Sequence, residues 1–252
     1  MSCLIDVHNL HYVYDGGGHG LHGVTLHLRH HERVGLIGPN GAGKTTLFHA
    51  LAGLLHPFEG DVMVGGNDLA SPEGRRSVHC NLGIVFQNTD DQLFNATVEE
   101  DVAFGPLNLG CSIDEARQRV RQAMQAVGLD ESYLPRAPFH LSGGEKRRVA
   151  IAGVLAMQPE ILLLDEPNSD LDPRGRRELE TILNDLSITR VISSHNLEFV
   201  LETCDRVILI DQGRVFADGP VTEVLANDAL MLEHGLEVPP SLRLQTPAPS
   251  SS

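Results

Sequence analysis

Apolar and polar positions alternate along the first thirty residues. Val24, Leu26 and Leu28 are separated by Thr25, His27 and Arg29, the period of a half-buried strand. Gly16-Gly17-Gly18 reads as a turn between two such strands. Val34–Ile37 is a short buried strand, followed by a glycine-rich stretch and a helical run from Lys44 to about Leu54. Ile84–Phe86 is another strand candidate. From about Thr97 to Met157 the pattern turns helical, most clearly over Ile113–Val127 and Ser142–Met157. Apolar strands return at Ile161–Leu164, Arg190–Ser193 and Val207–Ile210, with helices expected over Arg174–Leu186 and Leu197–Thr203. Strands alternating with helices imply an α/β fold with a mostly parallel sheet. An antiparallel β part precedes that sheet, and a helical segment is inserted at about 97–157. Residues 1–244 are expected to form one domain, with 221–244 as a C-terminal extension. Pro247, Pro249 and Ser250–Ser252 have nothing to pack, so residues 245–252 are expected to be a disordered tail.

Composition narrows the class. The 252 residues are 41% hydrophobic and 21% charged, the balance of a globular protein. The longest apolar runs, such as Val149–Met157, fall far short of the roughly 18 residues that span a bilayer. The chain does not open with a basic n-region and an apolar h-region, so a cytoplasmic location is expected. The net charge of −15 opposes general nucleic-acid binding, which needs positive surface to release counterions. Cys3, Cys80, Cys111 and Cys204 are scattered without a CxxC pair and are expected to be free thiols.

Three short segments carry chemistry. Gly38-Pro39-Asn40-Gly41-Ala42-Gly43-Lys44-Thr45 fits GxxxxGK[ST] between an apolar strand and a helical run, the context a phosphate loop demands. Its glycines let several N–H groups point inward at phosphate oxygens, and the helix N-terminus adds partial positive charge. Lys44 is placed to reach the β- and γ-phosphates, and the Thr45 hydroxyl to ligate Mg2+. The strand Ile161–Leu164 ends in Asp165 and Glu166. A carboxylate at a buried strand end is costly unless a cation or a donor meets it. Asp165 suits the cation, and Glu166 is placed to polarise an attacking water. Leu141-Ser142-Gly143-Gly144-Glu145 opens a helix. Ser142 and Glu145 have capping-box spacing, which needs no glycines between them. Gly143 and Gly144 each cost the helix about 1 kcal/mol against alanine, so they suit a phosphate that approaches the backbone closely.

Together these segments resemble the ATP-binding subunit of an ABC transporter, a P-loop NTPase. Gly38–Thr45 corresponds to the Walker A loop, Gln87 to the Q-loop glutamine, and Leu141–Glu145 to the signature. Asp165 and Glu166 correspond to the Walker B acids, Ser169–Asp172 to the D-loop, His195 to the switch histidine, and Tyr14 to the aromatic that stacks on adenine. The resemblance extends from the amino-terminal strands to about residue 243. Phe86-Gln87-Asn88, Asp91-Gln92-Leu93-Phe94, Glu99–Pro106 and Arg147–Met157 are similar to the energy-coupling-factor importers, and to their cobalt/nickel branch in particular.

The resemblance implies that ATP with Mg2+ is bound by Tyr14, Gly38, Asn40, Gly41, Ala42, Gly43, Lys44, Thr45 and Thr46. It implies Thr45, Gln87 and Asp165 as the Mg2+ residues, and Glu166, His195 and Gln87 as the catalytic set. Ser142, Gly143, Gly144 and Glu145 would serve the ATP of a second ABC subunit in a head-to-tail homodimer or heterodimer. A membrane subunit would dock near Asp90–Leu109, a substrate-binding membrane subunit would be engaged indirectly, and the chain would sit peripherally at the cytoplasmic face. The alternatives are a vitamin-importing relative and a soluble ABC ATPase working on nucleic acid or ribosomes. A single motif set and the −15 charge disfavour the latter.

Three positions depart from the family pattern: His31 for Gly, Thr89 for Pro and Asn168 for Thr. Histidine tolerates positive φ better than most residues, which keeps the turn at His31 feasible. Thirteen histidines, seven of them by residue 31 (His8, His11, His19, His22, His27, His30 and His31), invite a metal-handling reading. Their spacing lacks an HxxxH on a helix and an accompanying Cys or carboxylate cluster, so they are expected to be solvated.

Overall fold

The computed structural model describes residues 3–16, 18, 20–56 and 58–243; Gly17, His19 and the expected tail lie outside these residues. β1 (Ile5–Tyr12) pairs antiparallel with β2 (Leu21–Leu28), and β3 (Arg33–Ile37) leads through the glycine-rich loop into α1 (Lys44–Leu51). β4 (Glu59–Val64) and β5 (Asn67–Asp68) extend the first sheet in the order β2-β1-β4-β5. After α2 (Pro72–Ser77) and β6 (Leu82–Val85) come α3 (Val98–Asn108), α4 (Ile113–Ala126) and α5 (Gly143–Leu155), which pack on one another. Then follow β7 (Ile161–Asp165), α6 (Pro173–Asp185), β8 (Thr189–Ser193), α7 (Leu197–Thr203), β9 (Arg206–Asp211) and β10 (Arg214–Pro220). Last come α8 (Val221–Leu225), α9 (Asp228–Glu233) and α10 (Pro240–Arg243). Among the described residues the second sheet has six strands in the order β10-β9-β3-β8-β7-β6, parallel except at β9–β10.

The parallel strands read as continuous apolar runs because both of their faces are buried. On β7, Leu162 and Leu164 enter a core shared with α3–α7, while Ile161 and Leu163 enter a second core with α1 and the antiparallel sheet. β9 splits in the same way, with Val207 and Leu209 to one side and Ile208 and Ile210 to the other. In β1 and β2 only Ile5, Val7, Leu10, Leu21, Val24, Leu26 and Leu28 are buried, a one-sided alternation interrupted where the register shifts between Val7 and Leu10.

Several boundaries differ from the sequence expectation. α1 stops at Leu51, not Leu54, because Gly53 takes φ 70° and ends the helix. The strand expected at Ile84–Phe86 runs Leu82–Val85. Phe86 leaves the sheet because its N–H donates to Gln92 Oε1 and its carbonyl accepts from Arg147. β4, β5, β10 and α2 were not expected. β4 carried a usable signal, since buried Val62 and Val64 alternate with exposed Asp61 and Met63. His31 adopts φ 65°, and its N–H donates to Thr189 Oγ1 at 2.7 Å. All four cysteines are free. Burial pushes the Cys204 thiol up to about 11, which leaves it an inert core residue.

Arg190, on β8, is fully buried. Its guanidinium donates to the Leu186 and Thr203 carbonyls, each at 3.1 Å, and so binds the C-terminal ends of α6 and α7 to the sheet. Burial pushes its pKa down to about 10. Arg190→Ala is expected to leave two buried carbonyls unpaired and a cavity behind, lowering unfolding free energy by about 3 kcal/mol in urea titration. The exposed Arg214→Ala control should stay within about 0.5 kcal/mol of the parent.

Candidate functional site

In open parallel sheets ligands bind beyond the carboxyl ends of the strands. The loops after β3, β7 and β8 leave the sheet at that edge on neighbouring strands. A cavity of about 350 Å³ there is lined by Asn40, Gly41, Ala42, Gly43, Lys44, Thr45, Thr46, Gln87, Asp165, Glu166 and His195. Residues separated by up to 155 positions in the chain (195 − 40) thus meet in one place.

Contacts within the chain define the shape of the loop. Gly38 has φ 152°, and a Cβ there would lie 1.9 Å from the Ile210 carbonyl oxygen, so only glycine fits. Gly43 has φ 106° and sits at the start of α1. The Gly213 N–H, in the β9–β10 turn, donates to the Ala42 carbonyl at 2.9 Å. Lys44 Nζ donates to the Gly38 carbonyl at 2.7 Å and the Pro39 carbonyl at 3.1 Å. Burial pushes the Lys44 ammonium below its ordinary pKa, and the carboxylates of Glu166 and Asp165 pull it back up. A polyphosphate would favour the charged form in the same way. Tyr14 closes one end of the loop through a 3.1 Å hydroxyl contact with Thr46 Oγ1.

The two acids differ in their surroundings. Asp165 is fully engaged: Oδ2 accepts from Thr45 Oγ1 at 2.8 Å and Oδ1 accepts from Ser193 Oγ. Glu166, 6% exposed, adopts φ 45°, with its N–H donating to the Ser193 carbonyl at 3.0 Å. Its Oε2 accepts the His195 N–H at 3.2 Å. Its Oε1 lies 3.2 Å from His195 Nε2 but out of hydrogen-bond alignment, so this buried oxygen has no hydrogen-bond partner. A buried carboxylate lining a phosphate-sized cavity is suited to accept the proton of a water.

Ser142, Gly143, Gly144 and Glu145 are not in this cavity. They line a separate one of about 510 Å³ with Asp170, Leu171 and Asp172, and the two cavities share no residue. The capping box is present: Glu145 N donates to Ser142 Oγ, and Glu145 Oε2 accepts from the Ser142 N–H at 2.8 Å. Glu145 Oε1 accepts from the Tyr133 hydroxyl at 2.8 Å, and these bonds hold its carboxyl below the usual range. A Cβ on Gly143 would meet nothing within 4 Å, and one on Gly144 only Leu171 at 3.9 Å. Among the described residues, steric crowding does not require glycine at either place.

Two contributors escaped the sequence reading. Ser193, which fixes Asp165, was visible only as a polar residue ending an apolar strand, the signal that had marked Asp165 itself. Ser194 Oγ donates to Asn168 Oδ1 at 2.7 Å, so the unusual Asn168 joins the loops after β7 and β8. Of the amino-terminal histidines, His8, His27, His30 and His31 are exposed and His11 and His22 half-buried. Among the described residues, no group of three or more His, Cys, Asp or Glu side chains could hold a metal ion.

The fold and this cavity define a P-loop nucleoside triphosphatase. Residues 21–169 match the ABC transporter family. The energy-coupling factor transporter ATP-binding protein EcfA of Methanoculleus marisnigri is 44% identical over 245 residues, covering 96% of this chain and 88% of the relative. CbiO1 of Clostridium perfringens, part of the ABC transporter complex CbiONQ, superposes with a TM-score of 0.82 at 36% identity over 97% of this chain and 99% of the other. The ATP-binding cassette MJ0796, solved as a post-hydrolysis dimer with ADP and Pi, gives 0.76 at 28% identity over 86% of this chain and 98% of the other. The chain belongs to the ABC transporter family, as an ATP-binding cassette that hydrolyses ATP.

The two glycine sites predict opposite behaviour. Gly38→Ala is expected to distort the phosphate loop and weaken ATP binding at least about tenfold by fluorescence titration. Gly143→Ala is expected to keep or raise the unfolding midpoint, by up to about 1 kcal/mol in stability, while turnover falls about tenfold.

Proposed function

We propose that this chain is the motor subunit of a membrane importer of the energy-coupling-factor type, peripheral at the cytoplasmic face, whose ATP turnover drives uptake of cobalt or nickel. The observation that carries the catalytic part is Glu166, a buried acid that lines the phosphate-loop cavity with its Oε1 3.2 Å from His195 Nε2. In this reading Glu166 takes a proton from water as the water attacks the γ-phosphorus. The bond to the β–γ bridging oxygen breaks, and ADP and phosphate leave. His195, bonded through its N–H to Glu166, orients that carboxylate and contacts the γ-phosphate. Lys44 trades its two carbonyl partners for phosphate oxygens. Thr45 and Asp165, already joined through oxygen atoms, and Gln87 in the same cavity are hard donors that suit Mg2+. The ion would supply charge neutralisation on the phosphates. Tyr14 takes the adenine.

The separation of Ser142–Glu145 from the phosphate loop supports a site completed by a second cassette. Both halves occur in one chain, which permits a homodimer, and a heterodimer with another ABC ATPase is the other arrangement. Residues 1–244 form one ATPase unit in this reading, with 97–157 as its helical insertion and 221–244 as a C-terminal extension. Among the described residues no helix is long and apolar enough to cross a membrane, so translocation needs a membrane partner. The docking site proposed for it is the surface near Asp90–Leu109. There Phe94 and Phe104 stack edge to face with centroids 5.0 Å apart, 62% and 49% exposed, beside an apolar groove of about 290 Å³. The assignment to cobalt or nickel leans on residues 86–110 and 147–157 and on the likeness to CbiO1. The vitamin reading leans on the name of the 44% identical relative.

Glu166→Gln should bind ATP within about twofold of the parent and lose turnover by about a hundredfold or more. Normal turnover in that variant would remove Glu166 from the role of base. A tagged chain should recover an integral-membrane partner from detergent-solubilised native membranes, identified by mass spectrometry. Phe94→Asp with Phe104→Asp should abolish that recovery while ATP binding is kept. Uptake of labelled cobalt, nickel or vitamin by cells carrying the recovered complex would then decide the cargo.

A further inference from the structure

Arg147 lies on α5, one turn past Ser142–Gly144, and is 4% exposed. Its fork reaches across to the Q-loop: Nη1 donates to the Phe86 carbonyl at 2.8 Å and Nη2 to the Gln87 carbonyl at 2.7 Å. Two further links run between the same segments. Lys146 Nζ meets Asp90 Oδ1 at 2.6 Å, and Gln92 accepts from the Phe86 N–H while donating to the Ala150 carbonyl. Residues 86–92 are thus laced to the helix that begins at the signature, although the strand before them, β6, belongs to the sheet. Gln87 lines this chain's own phosphate cavity, whereas Ser142–Gly144 line the separate one. Of the bonds between them, Lys146–Asp90 is exposed while those of Arg147 and Gln92 are part-buried, and Arg147 differs in that a single rigid plane holds two consecutive carbonyls.

We propose that Arg147 is a positioning residue that joins the two half-sites of each chain, so that nucleotide at its own phosphate loop sets the signature half-site it offers to its partner. A shift of the Gln87 backbone is carried by the guanidinium to the first turn of α5. Burial pushes the Arg147 guanidinium below its ordinary value, against the carboxylates of Asp170 and Asp165, so the fork is kept at a cost in solvation. The proposal rests on the composite-site reading above, and it makes ATP turnover cooperative.

The test is steady-state ATPase activity of the full chain against ATP concentration, for the parent, Arg147→Met, Arg147→Lys and Glu166→Gln. Binding of a fluorescent ATP analogue is measured alongside. The parent should show a Hill coefficient above about 1.5. Arg147→Met should fall to about 1, with kcat down about tenfold and analogue binding within about twofold. Arg147→Lys, which keeps the charge and loses the fork, should restore only part of the cooperativity. A purely structural role for Arg147 would instead weaken analogue binding and kcat together. That outcome, a hyperbolic parent, or parental cooperativity in Arg147→Met would each overturn the proposal while leaving the ATPase assignment intact. Undiminished turnover in Glu166→Gln would overturn the reading of the site itself.

Discussion

Asp165 ends a strand whose other four side chains are apolar and buried. Its charge is tolerable only because donors reach it there, from Thr45 on one side and Ser193 on the other. Those two bonds fasten the start of α1 to β7 and β7 to β8. The phosphate loop therefore lies against the strand ends. The Ser193 carbonyl and hydroxyl also hold the Glu166 N–H in its left-handed conformation, which keeps the next carboxylate beside the cavity. Much of the site's geometry thus follows from the need to solvate one buried acid.

Further contacts that shape the loop lie outside its motif. Ile210 leaves room for glycine alone at position 38, and the turn after β9 donates to Ala42. Lys44 already has two acceptors. The signature turn has the opposite character. Its box satisfies Ser142 and Glu145, while the two glycines between them leave open backbone facing a cavity without a phosphate loop. In the composite-site reading proposed above, a second cassette completes the unfinished half.

How much of this was legible in the sequence depends on how local the cause is. β3, β7, β8 and β9 were read almost to the residue, because burial on both faces forces an unbroken apolar run. α7 was read without error, because Asn196 caps it by a side-chain bond to Phe199 N. β10 was missed because its burial alternates between exposed and half-buried, so hydrophobicity alone says little. β5 has only two residues. Phe86 was assigned to a strand because it is apolar, and what removes it from the sheet is Arg147, 61 residues further on. The residues lining the phosphate cavity were all named in advance, since each chemical role admits few residue types. Ser193 and Arg147 were not, since they act on the site through other residues and any good donor in their place would look alike in one dimension.

The departures from the family pattern fit the same division between local and distant causes. His31 keeps the left-handed turn that glycine would have made, and its N–H is taken by Thr189, so the substitution is absorbed within one hydrogen bond. Asn168 is different. It accepts from Ser194, the residue between the strand end that holds Asp165 and the histidine that contacts Glu166. A threonine there would offer one hydroxyl in place of an amide, with a shorter reach and a donor of its own. The change therefore falls on the bond that joins the loops after β7 and β8, and Asn168 does not line the phosphate cavity. Variation of that kind alters how firmly the loops are held together while leaving the phosphate contacts untouched.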